Sequence, residues 1–261
     1  MRFEDKVVII TGGALGIGRA AAEIFAERGA SVAILDWDEK AGLDARNHIE
    51  RNGGDAFFMQ VDVANSDDVR TAVEAANAAL GRIDSLVVSA GIQRYGTALT
   101  TDDAQWDEVL NVNLRGAWNA AKAAIPYIRS NGGGTIVNVS SVQALASQLN
   151  VLAYTISKHG LLGLTRSMAM DFAKENIRVN AVCPGTVDTP MLKWGASLDP
   201  DPQSVYDACN AMHPLGRIAQ PREIGEVIAF LAHETSSFVT GAIWTVDGGL
   251  LTQIGGVPQT E

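Results

Sequence analysis

Tyr154 and Lys158 stand four residues apart, with Ser141 thirteen residues before the tyrosine. On a helix a four-residue step sets the phenol and the ammonium on one face. Such a trio is a proton-transfer unit. A nearby cation stabilises phenolate over phenol and draws a tyrosine pKa down from about 10. Reaching about 7 requires roughly 4 kcal/mol of differential stabilisation, at about 1.36 kcal/mol per unit. The lysine and a positively charged cofactor ring would supply that together. Tyr-x-x-x-Lys also arises by chance on helices, so the assignment rests on the company the pair keeps.

A second signal lies near the start of the chain. Residues 6–10 form a short apolar, β-branched run that leads into Thr11-Gly12-Gly13-Ala14-Leu15-Gly16-Ile17-Gly18, and a helical pattern follows as far as Gly29. Strand, glycine turn and helix are the context of a dinucleotide site. Glycines allow a tight turn, close approach of backbone to a pyrophosphate, and close helix-on-sheet packing. The helix then offers free N–H groups and the positive end of its dipole. Asp36 follows the second apolar run, eighteen residues after Gly18. A carboxylate there accepts from both adenosine ribose hydroxyls and repels a 2′-phosphate. No Lys or Arg occupies positions 12–15 or 37–38, so NAD is expected rather than NADP. The other reading of Asp36 is a cap for the helix beginning near Asp38, for which it stands slightly early.

These residues, with the Asp62-Val63 pair, Asn113, Ala90-Gly91 and Pro184-Gly185, fall in an order that resembles the short-chain dehydrogenase/reductase family. The resemblance runs from about Phe3 to Leu250. One departure is that Val88-Ser89-Ala90-Gly91 stands where the family often has Asn-Asn-Ala-Gly. The resemblance implies roles. Tyr154 would take the hydroxyl proton of an alcohol as hydride passes to the nicotinamide. Ser141 would stabilise the same oxygen, and Lys158 would hold the nicotinamide ribose. Asn113 would fix a water beside the lysine. Gly12, Leu15, Gly16, Ile17 and Gly18 would cradle the phosphates. Asp62 and Val63 would flank the adenine, Ala90 and Gly91 would pass along the cofactor, and Pro184, Gly185, Val187 and Thr189 would close its carboxamide end. An alternative role for Asp62 is capping the helix that starts near Ser66.

Charge and composition restrict partners. The 261-residue chain has a net charge of −10 and no basic run, which argues against nucleic-acid and anionic-membrane binding. Residues 1–10 read as a first strand rather than a signal peptide, and two cysteines, Cys183 and Cys209, suit a reducing compartment. A cytoplasmic location is therefore expected. The four histidines lack ligand spacing, so no metal is expected.

Positioning these residues requires alternating strands and helices. Strand-like runs recur near residues 7–10, 31–35, 56–61, 85–89, 135–140, 178–183 and 242–246, with helical patterns between them, as at 69–80 and 105–128. Strands apolar throughout and joined by helical crossovers imply an α/β fold. It is read as a doubly wound, Rossmann-like parallel sheet of about seven strands with helices on both faces. One domain over residues 1–261 is expected, with a lid at about 191–219 and a tail at 252–261.

Substrate residues are read from polar side chains around the expected pocket: Gln93, Arg94, Ser141, Gln143, Gln148 and Asn150, with Trp194 in the lid. Amides select for hydroxyls, since an apolar ligand would leave them unpaired. Arg94 could clamp a carboxylate. A sugar, polyol or sugar acid is expected over a steroid or acyl chain. Family members acting on 3-hydroxybutyrate carry a lysine three residues before the tyrosine, where this chain has Val151. The alternatives are a 3-ketoacyl carrier-protein reductase, a 3-hydroxy-acid dehydrogenase and a non-catalytic dinucleotide-binding redox sensor. The resemblance also implies a homotetramer paired through the helices near 105–128 and 153–174. The tail at 252–261 has no core pattern, and is read either as packed on a neighbouring subunit or as disordered.

Overall fold

The computed structural model describes residues 1–253. Seven strands form one sheet: β1 (Val7–Thr11), β2 (Ser31–Asp36), β3 (Asp55–Gln60), β4 (Ser85–Val88), β5 (Gly134–Val139), β6 (Ile177–Pro184) and β7 (Ile243–Val246). Their order is β3-β2-β1-β4-β5-β6-β7, and every neighbouring pair is parallel. The chain winds outward from β1 in both directions, so the order reverses between β1 and β4. Loops leaving the carboxyl ends there open a crevice, the usual ligand position of such sheets.

Successive strand residues face opposite ways, and the two cores follow from that. Ile9 of β1 joins one cluster with Val69, Ala120 and Leu161. These come from α3 (Ser66–Leu80), α5 (Gly116–Ser130) and α6 (Leu152–Phe172). Val8 and Ile10 join the other with Phe25, Ile49 and Ile228, from α1 (Gly16–Glu27), α2 (Glu39–Arg51) and α9 (Pro221–Ala232). Both faces are covered, which is why the strands are apolar throughout rather than alternating.

One segment departs from the sequence reading, and the lid segment takes a definite form. The helix expected over 105–128 is three pieces: α4 (Asp103–Leu110), a π-helical turn (Asn111–Arg115) and α5. One extra residue per turn rotates Asn113 towards the loop after β4, where its amide is used. The segment near 191–219 folds as α7 (Pro190–Ala196) and α8 (Pro202–Met212). Each has proline in its first turn and a side-chain cap, Thr189 or Asp201. A bridge between Val187 and Ala219 ties the two ends of this excursion together. The expected packing of the tail concerns residues that, from 254 onward, lie outside the described part.

Candidate active site

The crevice is a cleft of about 1040 Å³. At its floor Gly12 has φ +66°, and a Cβ there would lie 2.6 Å from the Ala90 backbone. A Cβ at Gly18 would lie 2.0 Å from the Gly12 carbonyl oxygen. Only glycines let β4, the turn and α1 meet this closely. Leu15 holds the N-cap position of α1 without a side-chain cap, and the first turn contains no acidic residue. The amino end of α1 therefore keeps donors and positive dipole for an anion. Leu15, Gly16 and Ile17 line the cleft, whereas Gly18 packs behind it.

Asp36 ends β2 with its Oδ2 accepting from Ala14 N–H (2.9 Å) and its Oδ1 from Asp38 N–H (3.0 Å). Asp38, not Asp36, caps α2. Arg19, the arginine of α1, is bound to Glu23 and Asp44 (2.9 and 2.7 Å) rather than to Asp36. Asp62 accepts from Ala64 N–H, while Asn65 caps α3, so the alternative capping role for Asp62 is not realised. Val63 is held by Asn119, which donates to its carbonyl at 2.9 Å, and by Gly116, where a Cβ would come within 2.8 Å. Trp37, next to Asp36, is 75% exposed and lines the same end. The sequence reading passed over it, although its place just after a strand end was the available signal.

Ser141, Tyr154 and Lys158 meet in the middle of the cleft, all buried. Lys158 Nζ donates to the Val139 carbonyl (2.9 Å) and lies 5.5 Å from the Tyr154 ring centre. A Cβ at Gly91 would be 3.5 Å from that Nζ and 3.4 Å from Asn113 Oδ1. Asn113 accepts from Ile92 N–H (2.8 Å) and donates to the Ile92 carbonyl (2.9 Å) and Ser157 Oγ (3.0 Å). Both of its N–H groups are thus engaged, and the side chain fixes the loop after β4. Burial pushes the Tyr154 phenol up to about 12, against a smaller downward pull from Ser141. Burial also lowers Lys158 to about 8. Among the chain's own groups, burial sets the direction at both residues.

The outer end is lined by Gln93, Arg94, Tyr95, Glu108, Gln143 and Gln148. Arg94 donates to Glu108 Oε1 (2.6 Å) and to the Gln93 carbonyl (2.9 Å). Its guanidinium is thus paired within the protein, with Glu108 as its carboxylate partner. Trp194 is not among the residues lining the cleft. Its ring stacks on Tyr95 (5.7 Å between centres, 18°) and beneath Arg94 (5.8 Å), so it clasps α7 to the loop after β4. Asn150 also lies off the cleft, with its carbonyl accepting from Gly96 N–H. Gln143 Nε2 donates to Gln148 Oε1 (3.0 Å), while Gln143 Oε1 is buried without a partner. Pro184, Gly185, Val187 and Thr189 form the wall after β6. Cys183 is a buried strand residue. Among the described residues, no three His, Cys, Asp or Glu side chains gather as metal ligands. No helix among them is long and apolar enough to cross a membrane.

Residues 12–251 match the profile of the family described as enoyl-(acyl carrier protein) reductase. The chain belongs to the short-chain dehydrogenase/reductase family. This short-chain dehydrogenase/reductase is 41% identical over 248 residues to cis-4-hydroxycyclohexanecarboxylate dehydrogenase of Sinomonas cyclohexanicum, covering 95% of this chain and 97% of that one. It is 39% identical over 252 residues to 3-oxoacyl-(acyl-carrier-protein) reductase of Thermotoga maritima, covering 96% and 100%. The structure of Thermoplasma acidophilum aldohexose dehydrogenase superposes with a TM-score of 0.90 at 38% identity, covering 98% of each chain. The chain is thus an oxidoreductase of alcohols or ketones that binds a nicotinamide dinucleotide. Its glycine cradle and uncapped helix end fit such a group, since a Cβ at Gly12 or Gly18 would close the turn.

Proposed function

We propose that this chain uses NAD to oxidise a secondary alcohol on a small polyhydroxy substrate such as a sugar, polyol or sugar acid, with Tyr154 as the acid–base group. One observation carries the substrate reading: Gln143, a cleft-lining residue whose backbone N–H donates to the Ser141 hydroxyl at 3.1 Å, has its side-chain Oε1 buried without a partner. An unpaired buried acceptor costs about 1–3 kcal/mol. A ligand hydroxyl relieves that cost and an apolar ligand does not. Pairing of Arg94 with Glu108 favours the uncharged members of the class.

Tyr154 takes the hydroxyl proton of the substrate. Ser141 accepts from Gln143 N–H, which leaves its own O–H free to donate to the reacting oxygen. Lys158 gives one hydrogen to Val139 and has two left for the ribose of the cofactor. Asp36 would accept from the adenosine ribose, and its charge, with Arg19 diverted, supports NAD over NADP. When bound, NAD accepts the hydride and carries a positive ring charge that favours phenolate.

A second reading, reduction of a 3-oxoacyl chain, is favoured by the Thermotoga maritima relative at 39% identity. A non-catalytic redox sensor would not need the Tyr154, Lys158 and Ser141 set. The test is a panel of sugars, polyols, sugar acids, 3-hydroxy acids and apolar alcohols, run with NAD and NADP, with Tyr154→Phe as blank. Turnover should be confined to polyhydroxy members with NAD, and should fall about 10²–10⁴-fold in Tyr154→Phe while NADH still binds. Activity only on 3-oxoacyl thioesters with NADPH would move the assignment to the second reading.

A further inference from the structure

We propose that His213 is a positioning residue that ties the lid helix α8 to the loop after β6 and holds Thr186 for the cofactor; this rests on the assignment of that loop to the nicotinamide end. His213 sits at the carboxyl end of α8 and is 3% exposed. Its Nε2 is 3.1 Å from Thr186 N, and its Nδ1 is 2.7 Å from the Cys209 carbonyl. A backbone N–H only donates and a carbonyl only accepts, so Nδ1 carries the proton and Nε2 accepts. One ring therefore joins a lid carbonyl to a cleft-wall amide.

Gly185 supplies an independent sign that this contact is built in. A Cβ at Gly185 would come within 2.6 Å of His213 Nε2, so this glycine makes room for the imidazole. Gly248 lines the other side, where a Cβ would lie 3.5 Å from the ring. The other titratable groups around the ring are Cys209 on α8 and Asp247 after β7. The Asp247 carboxylate accepts from Gly249 and Leu251 N–H. Thr186 and Cys209 both line the cleft, so a shift of α8 reaches the wall directly. Lid position and cofactor affinity become linked through a single side chain.

Two variants separate the bonds. His213→Asn keeps a donor near Cys209 but cannot reach Thr186, while His213→Gln restores an acceptor near the Nε2 position. Loss of the Thr186 bond leaves a part-buried N–H without its partner. His213→Asn should weaken NADH binding about ten-fold, equivalent to about 1.4 kcal/mol. It should raise the alcohol KM with kcat little changed, and speed hydrogen exchange at the Thr186 amide. His213→Gln should bind NADH within about two-fold of the native chain. Wild-type NADH affinity in His213→Asn, or equal loss in His213→Gln, would overturn the proposal. If His213→Asn does not fold, the native protein still decides: a protected Thr186 amide supports the tie and a freely exchanging one refutes it. Failure of the native chain to bind NADH would instead refute the cofactor assignment, and the amide would still report on the tie.

Discussion

Burial pulls Lys158 and Tyr154 towards their neutral forms in opposite pH ranges. Lys158 is lowered from 10.5 to about 8, so between those values the unfolded chain holds a proton that the folded chain lacks. Stability from this group is fully present above about 10.5 and is lost as pH falls to about 8. Tyr154 is raised from 10 to about 12, so its contribution is present below about 10 and is lost as pH rises to about 12. Thermal melts of the protein alone should therefore show wild type gaining on Lys158→Met from about pH 8 to 10, by at most about 1.36 kcal/mol per unit. Parallel curves would mean that Lys158 is not desolvated as the structure has it. Glu108 governs a different property. Glu108→Gln would remove the carboxylate that pairs with Arg94 and leave its charge for a substrate carboxylate. The ratio of kcat/KM for hydroxy acids to that for uncharged polyols should rise about ten-fold. An unchanged ratio would remove both residues from substrate selection.

At the scale of elements, the amino end of α1 depends on a contact that tolerates no side chain. Gly18→Ala would drive a Cβ to within 2.0 Å of the Gly12 carbonyl oxygen. Overpacking of this kind costs about 1–3 kcal/mol, with Tm falling roughly 2–4 °C per kcal/mol. NADH affinity should fall with it, as measured by fluorescence titration; unchanged Tm and affinity would show that the turn relaxes freely. This glycine turn was legible because the pattern is local: strand, turn and helix start lie within a dozen residues. The π-helical turn at Asn111–Arg115 was not legible, since one inserted residue barely disturbs an apolar period read over 105–128. The Asn113 amide bonds to Ile92 and Ser157 come from residues 21 and 44 positions away, and no local pattern announces them.

For the whole molecule, a net charge of −10 disfavours anionic partners, in keeping with the paired Arg94. Trp118 on α5 and Met170 on α6 are 48% and 80% exposed. We propose that these helices pair between copies in a homotetramer. Sedimentation at micromolar concentration should give a tetramer, and Met170→Asp should shift it to smaller species; a monomer in the native protein would refute the assembly.

The sequence by itself determined the strand runs, the glycine turn, the carboxylate after β2 and the Ser141, Tyr154 and Lys158 set. Each of these follows from short-range spacing that maps directly onto a helix face or a strand end. Tertiary structure alone decided three further matters. Arg94 found Glu108, Trp194 stacked on Tyr95 rather than lining the cleft, and Gly185 proved to make room for His213. It also decided the burial that moves Tyr154 up and Lys158 down. Desolvation and ion pairing depend on which distant residues share a volume, and neighbours along the chain do not specify that.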